Sequence, residues 1–173
     1  MFTKNFKNLM VLNLFNAKSN YTDLDIDTTV YPTYYDIEGK ERNKGNGVWN
    51  CGAFVSALSD TLKTSSGTQN SSCLIIGTGT GTVSENDYCL FNQDSNCACV
   101  SASSSTTSNL TKEYTATFQN NSESDVTITE TGIVGYVYID NNFFTVLLEH
   151  TLLETPVIIP AGETRTITYV WSF

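Results

Sequence analysis

The chain has 173 residues, 9 of them Lys or Arg against 18 Asp or Glu, for a net charge of −9. A chain of this length makes one domain that buries roughly 70% of its unfolded surface. The acidic balance argues against a nucleic-acid binder or a protein held on anionic lipid, since both need basic surface, and no stretch reaches the roughly 18 apolar residues of a spanning helix.

Thr, Ser, Asn, Tyr, Val and Ile are abundant while Ala, Lys, Glu and Arg are sparse, which favours strands joined by polar turns over helices. Only 16% of residues are charged, so solubility rests on hydroxyl and amide groups. A surface of that kind suits an extracellular or particle-borne protein. Asn-x-Ser/Thr triplets begin at Asn20, Asn70, Asn109 and Asn120, and in so Asn- and Ser-rich a chain they carry little weight.

The opening segment, MFTKNFKNLMVLNLFN, sets Phe2, Phe6, Leu9, Met10 and Leu14 at helical spacing and predicts a short amphipathic helix. The rival reading is a signal peptide, with Lys4 and Lys7 before an apolar run and Ala17-Lys18-Ser19 as its cleavage site; Asn13 interrupts that run. An apolar stripe has to be covered by its own domain or by a neighbour. The expectation favours a neighbour, which makes these five residues interface candidates.

Residues 21–38 read as extended, with Asp23, Asp25 and Asp27 alternating with Leu24, Ile26 and Thr28. An EF-hand loop needs Gly at its sixth position and Glu at its twelfth, where this chain has Thr28 and Tyr34, so a solvent-facing strand is the better account. Tyr31, Tyr34 and Tyr35 cluster around Pro32. Aromatic residues gather in cores and at subunit contacts alike, so the three tyrosines join the interface candidates. Residues 39–47 are a loop by composition, and FVSALSDTLK, 54–63, fits a strand or a helical turn.

CLIIGTGTGTVSENDYCL, residues 73–90, has the form of an apolar strand feeding a glycine loop. A dinucleotide fingerprint started at Gly77 places Gly79 correctly but has Thr82 at its sixth position, and no Gly-Lys-Ser/Thr of a Walker loop is present. The glycines Gly77, Gly79 and Gly81 are therefore expected to turn the chain tightly, with no nucleotide cofactor. Ser84 and Asp87 have the Ser-x-x-Asp form of a capped helical turn, and 92–108, rich in Ser and Cys, reads as a surface loop or hairpin.

From Lys112 onward alternation is clear: KEYTATFQN, DVTITETGI, VGYVYID, FFTVLLEHTLL, TPVIIPAGET and RTITYVWSF. Five or six short strands with turn signals every 8 to 12 residues or so are the rhythm of an antiparallel sandwich. The expected fold is mainly β, an antiparallel β-sandwich of Ig-like or jelly-roll type with a short N-terminal helix. Residues 1–60 would form the helix and an extended appendage and 61–173 the sandwich, in one compact unit.

No catalytic residue is expected. The single histidine, His150, lies in an apparent strand, and no Gly-x-Ser-x-Gly elbow offers a nucleophile. Cys97 and Cys99, with Cys89 nearby, lack the second paired knuckle of a structural zinc site, so the five cysteines are read as free or disulfide-bonded, with no metal.

Four segments together resemble small proteins encoded by tailed bacteriophages, notably those of gut bacteria: MFTKNF, IIGTGTGTVSENDYCL, TATFQNNSESDVTITETGIVG and LLEHTLLETPVIIPAGETRTITYVWSF. The resemblance covers roughly the first ten residues and most of 73–173, and leaves the stretch from Asn20 to Glu38 and the cysteine cluster without a counterpart. It implies a virion component: a non-enzymatic β-sandwich, homo-oligomeric and present in many copies, bound to other virion proteins in the capsid, neck or tail. The alternative from another class is a carbohydrate- or cell-surface-binding β-sandwich module.

Overall fold

The computed structural model describes residues 1–7, 34–42, 74–108, 111–139 and 142–172. The strands are β1 (Tyr34–Tyr35), β2 (Glu41–Arg42), β3 (Leu74–Gly77), β4 (Cys97–Ser108), β5 (Thr111–Asn120), β6 (Val126–Ile139), β7 (Asn142–Ile159) and β8 (Thr164–Ser172). Strands β3, β6 and β7 form one three-stranded antiparallel sheet, β4, β5 and β8 a second, and β1 and β2 a small ribbon. The two larger sheets share one hydrophobic core: Leu74 and Ile76 of β3, Ile128 and Ile133 of β6 and Ile159 of β7 join Tyr114, Ala116 and Phe118 of β5 and Ile167 of β8. The protein is mainly β, and its two sheets pack as a sandwich.

Alternation explains β5: Tyr114, Ala116 and Phe118 are buried while Thr115 and Thr117 turn outward and bond Thr168 and Thr166 of β8 through their hydroxyls, at 3.2 and 2.9 Å. Of the surface loop or hairpin expected for 92–108, β4 takes the paired-strand form. Its Ser- and Cys-rich sequence lies along the whole of β5, in register from Cys97↔Asn120 to Ser108↔Thr111 with bulges after Cys99 and Thr106. Pairing with a strong neighbour overrides weak intrinsic preference. The short strands expected between β5 and β8 merge into two long antiparallel strands, β6 (Val126–Ile139) and β7 (Asn142–Ile159), and Gly132 and Gly135 do not interrupt β6.

Asn120, fully buried, fixes the crossings between the sheets. Its amide donates to the carbonyls of Ser124 (2.8 Å) and Ile159 (2.9 Å), and its side-chain oxygen accepts from the amide and hydroxyl of Ser122. The glycosylation triplet at this position therefore spends its acceptor amide on the fold. The β7–β8 turn closes with Glu163 N–H on the Pro160 carbonyl (3.0 Å), and Gly162 holds φ at 73°, a conformation that favours glycine.

Val146 to His150 are all buried, so this part of β7 is covered on both faces. Leu148 is the extra residue of a bulge between the pairs Ile133↔Glu149 and Val134↔Leu147. The N-terminal segment lies along the bulge: Phe2 bridges Glu149, Thr3 N–H donates to the Leu148 carbonyl, and the Thr3 hydroxyl donates to Leu147 at 2.7 Å. Because residues 1–3 are extended, the predicted helix is one turn in the described residues, Lys4–Lys7.

Candidate functional site

Glu130 follows Val126 and Ile128 at the two-residue period of β6, and it is fully buried like Ile128. Gly132 pairs with His150 and Glu130 with Leu152, so Glu130 and His150 are diagonal neighbours across β6 and β7. His150 Nε2 lies 2.8 Å from Glu130 Oε2, and His150 Nδ1 lies 2.7 Å from Asp87 Oδ2. The ring of Phe91 packs at 4.7 Å from the imidazole. A carboxylate–imidazole–carboxylate chain thus runs from the sheet to the loop between β3 and β4.

The glycine loop completes this network. Gly79 N–H (2.9 Å) and Asn92 N–H (2.8 Å) donate to Glu130 Oε1, and Phe91 N–H (3.0 Å) donates to Oε2. An added Cβ at Gly79 would collide with Phe91 Cβ and come within 2.5 Å of Glu130 Oε1; at Gly77 it would meet the same oxygen at 2.5 Å. The glycines let backbone approach an anion, as in a phosphate loop, but the anion is the chain's own Glu130. Burial alone would raise the Glu130 carboxyl, yet the amides of Asn92 and Phe91, His150 and the Gly79 amide hold it below the ordinary range.

Asp87 belongs to the expected Ser-x-x-Asp turn. Its Oδ2 accepts from Ser84 N–H (2.9 Å), Ser84 Oγ accepts from Asn86 N–H (3.2 Å), and Asp87 N–H reaches the Ser84 carbonyl (3.1 Å). These are the reciprocal bonds of a capping box closed around a single turn, with no helix beyond it. The turn rests on the N-terminal segment, where Lys4 N–H donates to the Glu85 carbonyl and the Lys7 ammonium pairs with the Glu85 carboxylate.

Beside Asp87 lies a cleft of about 310 Å³ whose walls include Lys4, Asn5, Tyr35, Gly39, Glu85 and Tyr88. Asn5 clamps one wall by accepting from Tyr35 N–H (2.9 Å) and donating to the Tyr35 carbonyl (2.7 Å). Tyr88 lies over Gly39, where an added Cβ would stand 2.9 Å from the ring. Behind it, Arg42 pairs with Asp36 at 2.6 Å and covers the Phe144 ring at 3.8 Å. Burial would raise the Asp36 carboxyl, but Lys40 N–H, Arg42 and Glu38 N–H bring it below its ordinary value. A second, mostly polar cleft of about 440 Å³ lies between Thr78, Asn92, Asp94, Asp125, Val126 and Thr129.

Of the interface candidates, Phe6 is buried in the chain's own core and stacks at 4.3 Å on Phe2, which is partly buried. Tyr34 is fully buried in the same core, and Tyr35 is 40% exposed. Leu9, Met10, Leu14 and Tyr31 lie outside the described residues, as do the Asp23–Asp27 triplet, the segment 54–63, Cys51 and Cys73. Cys89, Cys97 and Cys99 are free thiols; burial and a hydrogen bond with Asp94 push Cys97 up to about 12, which keeps it protonated at neutral pH. Among the described residues no group of three or more His, Cys, Asp or Glu is arranged to hold a metal, and no helix is long and apolar enough to cross a membrane.

Sequence reasoning missed Glu130 and the partners of His150. The available signal was a carboxylate on the apolar face of an alternating strand, facing a histidine set in an apolar run.

The fold and its polar centre define an antiparallel β-sandwich locked by a Glu–His–Asp network in which Glu130 and His150 are fully buried. Compared with protein-family models, with curated proteins and with solved structures, the chain matches none of them.

Proposed function

We propose that this protein is a non-enzymatic structural component of a tailed-phage particle, a β-sandwich present in many copies and held by protein–protein contacts in the capsid, neck or tail. The observation that carries the non-enzymatic part is the state of its ionisable centre. His150 and Glu130 have no exposed surface, and each oxygen of Glu130 already accepts two bonds from within the chain. A general base has to reach the proton it takes. This network instead holds the 78–92 loop on the sheet, and burying the Glu130 carboxylate makes sense as a device that fixes one conformation.

The particle assignment rests on the segments quoted above. The Ser- and Thr-faced second sheet and the net charge of −9 are compatible with a protein displayed at high copy number. Immunogold electron microscopy of intact particles, with antibody raised against the purified chain, tests the reading. Regular labelling at the capsid, neck or tail is expected, and unlabelled particles from a lysate that contains the chain would contradict it.

A further inference from the structure

The geometry points to a saccharide site: the cleft beside Asp87 binds one pyranose ring of a surface glycan, stacked on Tyr35 or Tyr88. Both tyrosines stay about 40% exposed on one concave surface, which isolated core aromatics do not do. Their hydroxyls and the Lys4 ammonium make no hydrogen bond or ion pair among the described residues, and neither does Asp87 Oδ1. Donors and an acceptor are thus open beside two half-exposed tyrosine rings. A pyranose presents the matching pair, a C–H face for stacking and a belt of hydroxyls that both donate and accept.

The walls are held in place before any ligand arrives. Asn5 clamps the Tyr35 backbone on both sides, and His150, itself fixed by Glu130, holds Asp87 by its other oxygen. Such support from behind is what a preorganised site needs. Size and charge narrow the ligand further. A volume of about 310 Å³ is at the low end of small-molecule sites and suits one ring. Lys4 beside the carboxylates of Glu85 and Asp87 is too little positive charge for a phosphate, and the half-exposed tyrosine rings suit the C–H face of a neutral polyol. The second cleft has no aromatic wall and so offers no stacking face.

This inference does not depend on the particle reading. Its test is a printed array of neutral and acidic glycans probed with the full chain displayed multivalently on fluorescent beads, so that millimolar contacts are retained. The best-bound glycan, as its methyl glycoside, is then titrated by NMR. Binding of at least one neutral glycan is expected, with amide shifts at Tyr35, Gly39 and residues 85–88. Tyr88→Ala should weaken it at least tenfold, while Tyr88→Phe retains the stacking and most of the binding, with melting temperatures showing that both variants fold. The inference is overturned by a wild-type chain that retains no glycan, by binding that Tyr88→Ala and Tyr35→Ala both leave unchanged, or by shifts located elsewhere on the sandwich.

Discussion

Glu130→Gln removes one negative charge from the polar centre and almost no volume. Each carboxylate oxygen accepts two bonds: Gly79 and Asn92 N–H on Oε1, Phe91 N–H and His150 Nε2 on Oε2. A glutamine amide that keeps its oxygen toward Gly79 and Asn92 turns its NH₂ toward His150, which accepts by changing tautomer, and toward Phe91 N–H, which cannot. Two donors, the Phe91 N–H and the amide hydrogen facing it, are left without acceptors, each at a cost of about 1–3 kcal/mol, and the surviving bonds lose their charge assistance, which roughly doubles their strength. The expected net loss is about 3 kcal/mol, at the low end of what breaking a buried ion pair costs. For a chain of this size that lowers the melting temperature by about 6–12 °C. Scanning calorimetry at pH 7 on wild type, Glu130→Gln and the exposed control Glu123→Gln measures it. A fall below about 2 °C would refute the claim that Glu130 organises the loop.

The lowered Glu130 and Asp36 carboxyls stabilise the fold above the ordinary carboxylate range of about 4, and that contribution is lost as pH falls through it; urea midpoints at pH 7, 5 and 3 should drop steeply in the last interval, and less so in Glu130→Gln. Gly79→Ala forces a Cβ into Phe91 and Glu130 and should destabilise the protein by several times the roughly 1 kcal/mol expected of Gly162→Ala, whose Cβ meets nothing within 4 Å and whose cost is backbone strain alone. Phe6→Ala empties a core position and should cost about 3–5 kcal/mol in the monomer, read by urea denaturation under conditions where no oligomer forms; an unchanged midpoint would return Phe6 to a role between subunits.

What could be read from the sequence was local. The alternation of Tyr114, Ala116 and Phe118 against threonines fixes β5 because one face is core and the other water. The Pro-Ala-Gly-Glu turn into β8 announces itself through Gly162. β4 was legible only as a loop or hairpin, since its Ser-rich run has no apolar alternation and its conformation comes from a partner strand. The apolar run Val146–Leu148 looked like an ordinary strand centre, and its bulge, which lets the N-terminus dock, depends on register with β6. The glycine loop was legible as tight backbone. The identity of what it surrounds was not, because Glu130 stands 51 residues away from Gly79 and the two meet only through the fold. The cleft was invisible for the same reason: Lys4, Tyr35 and Tyr88 come from three separate stretches of the chain.

The central claim is that this sandwich is a particle component, and its most direct test is quantitative mass spectrometry of density-purified particles from a lysate in which the chain is expressed from its native genome. The account predicts peptides of the chain co-purifying with intact particles at a fixed, multi-copy ratio to the major capsid protein, resistant to high-salt washing. Recovery of the chain only in the soluble fraction, with none in the particle band, would contradict it.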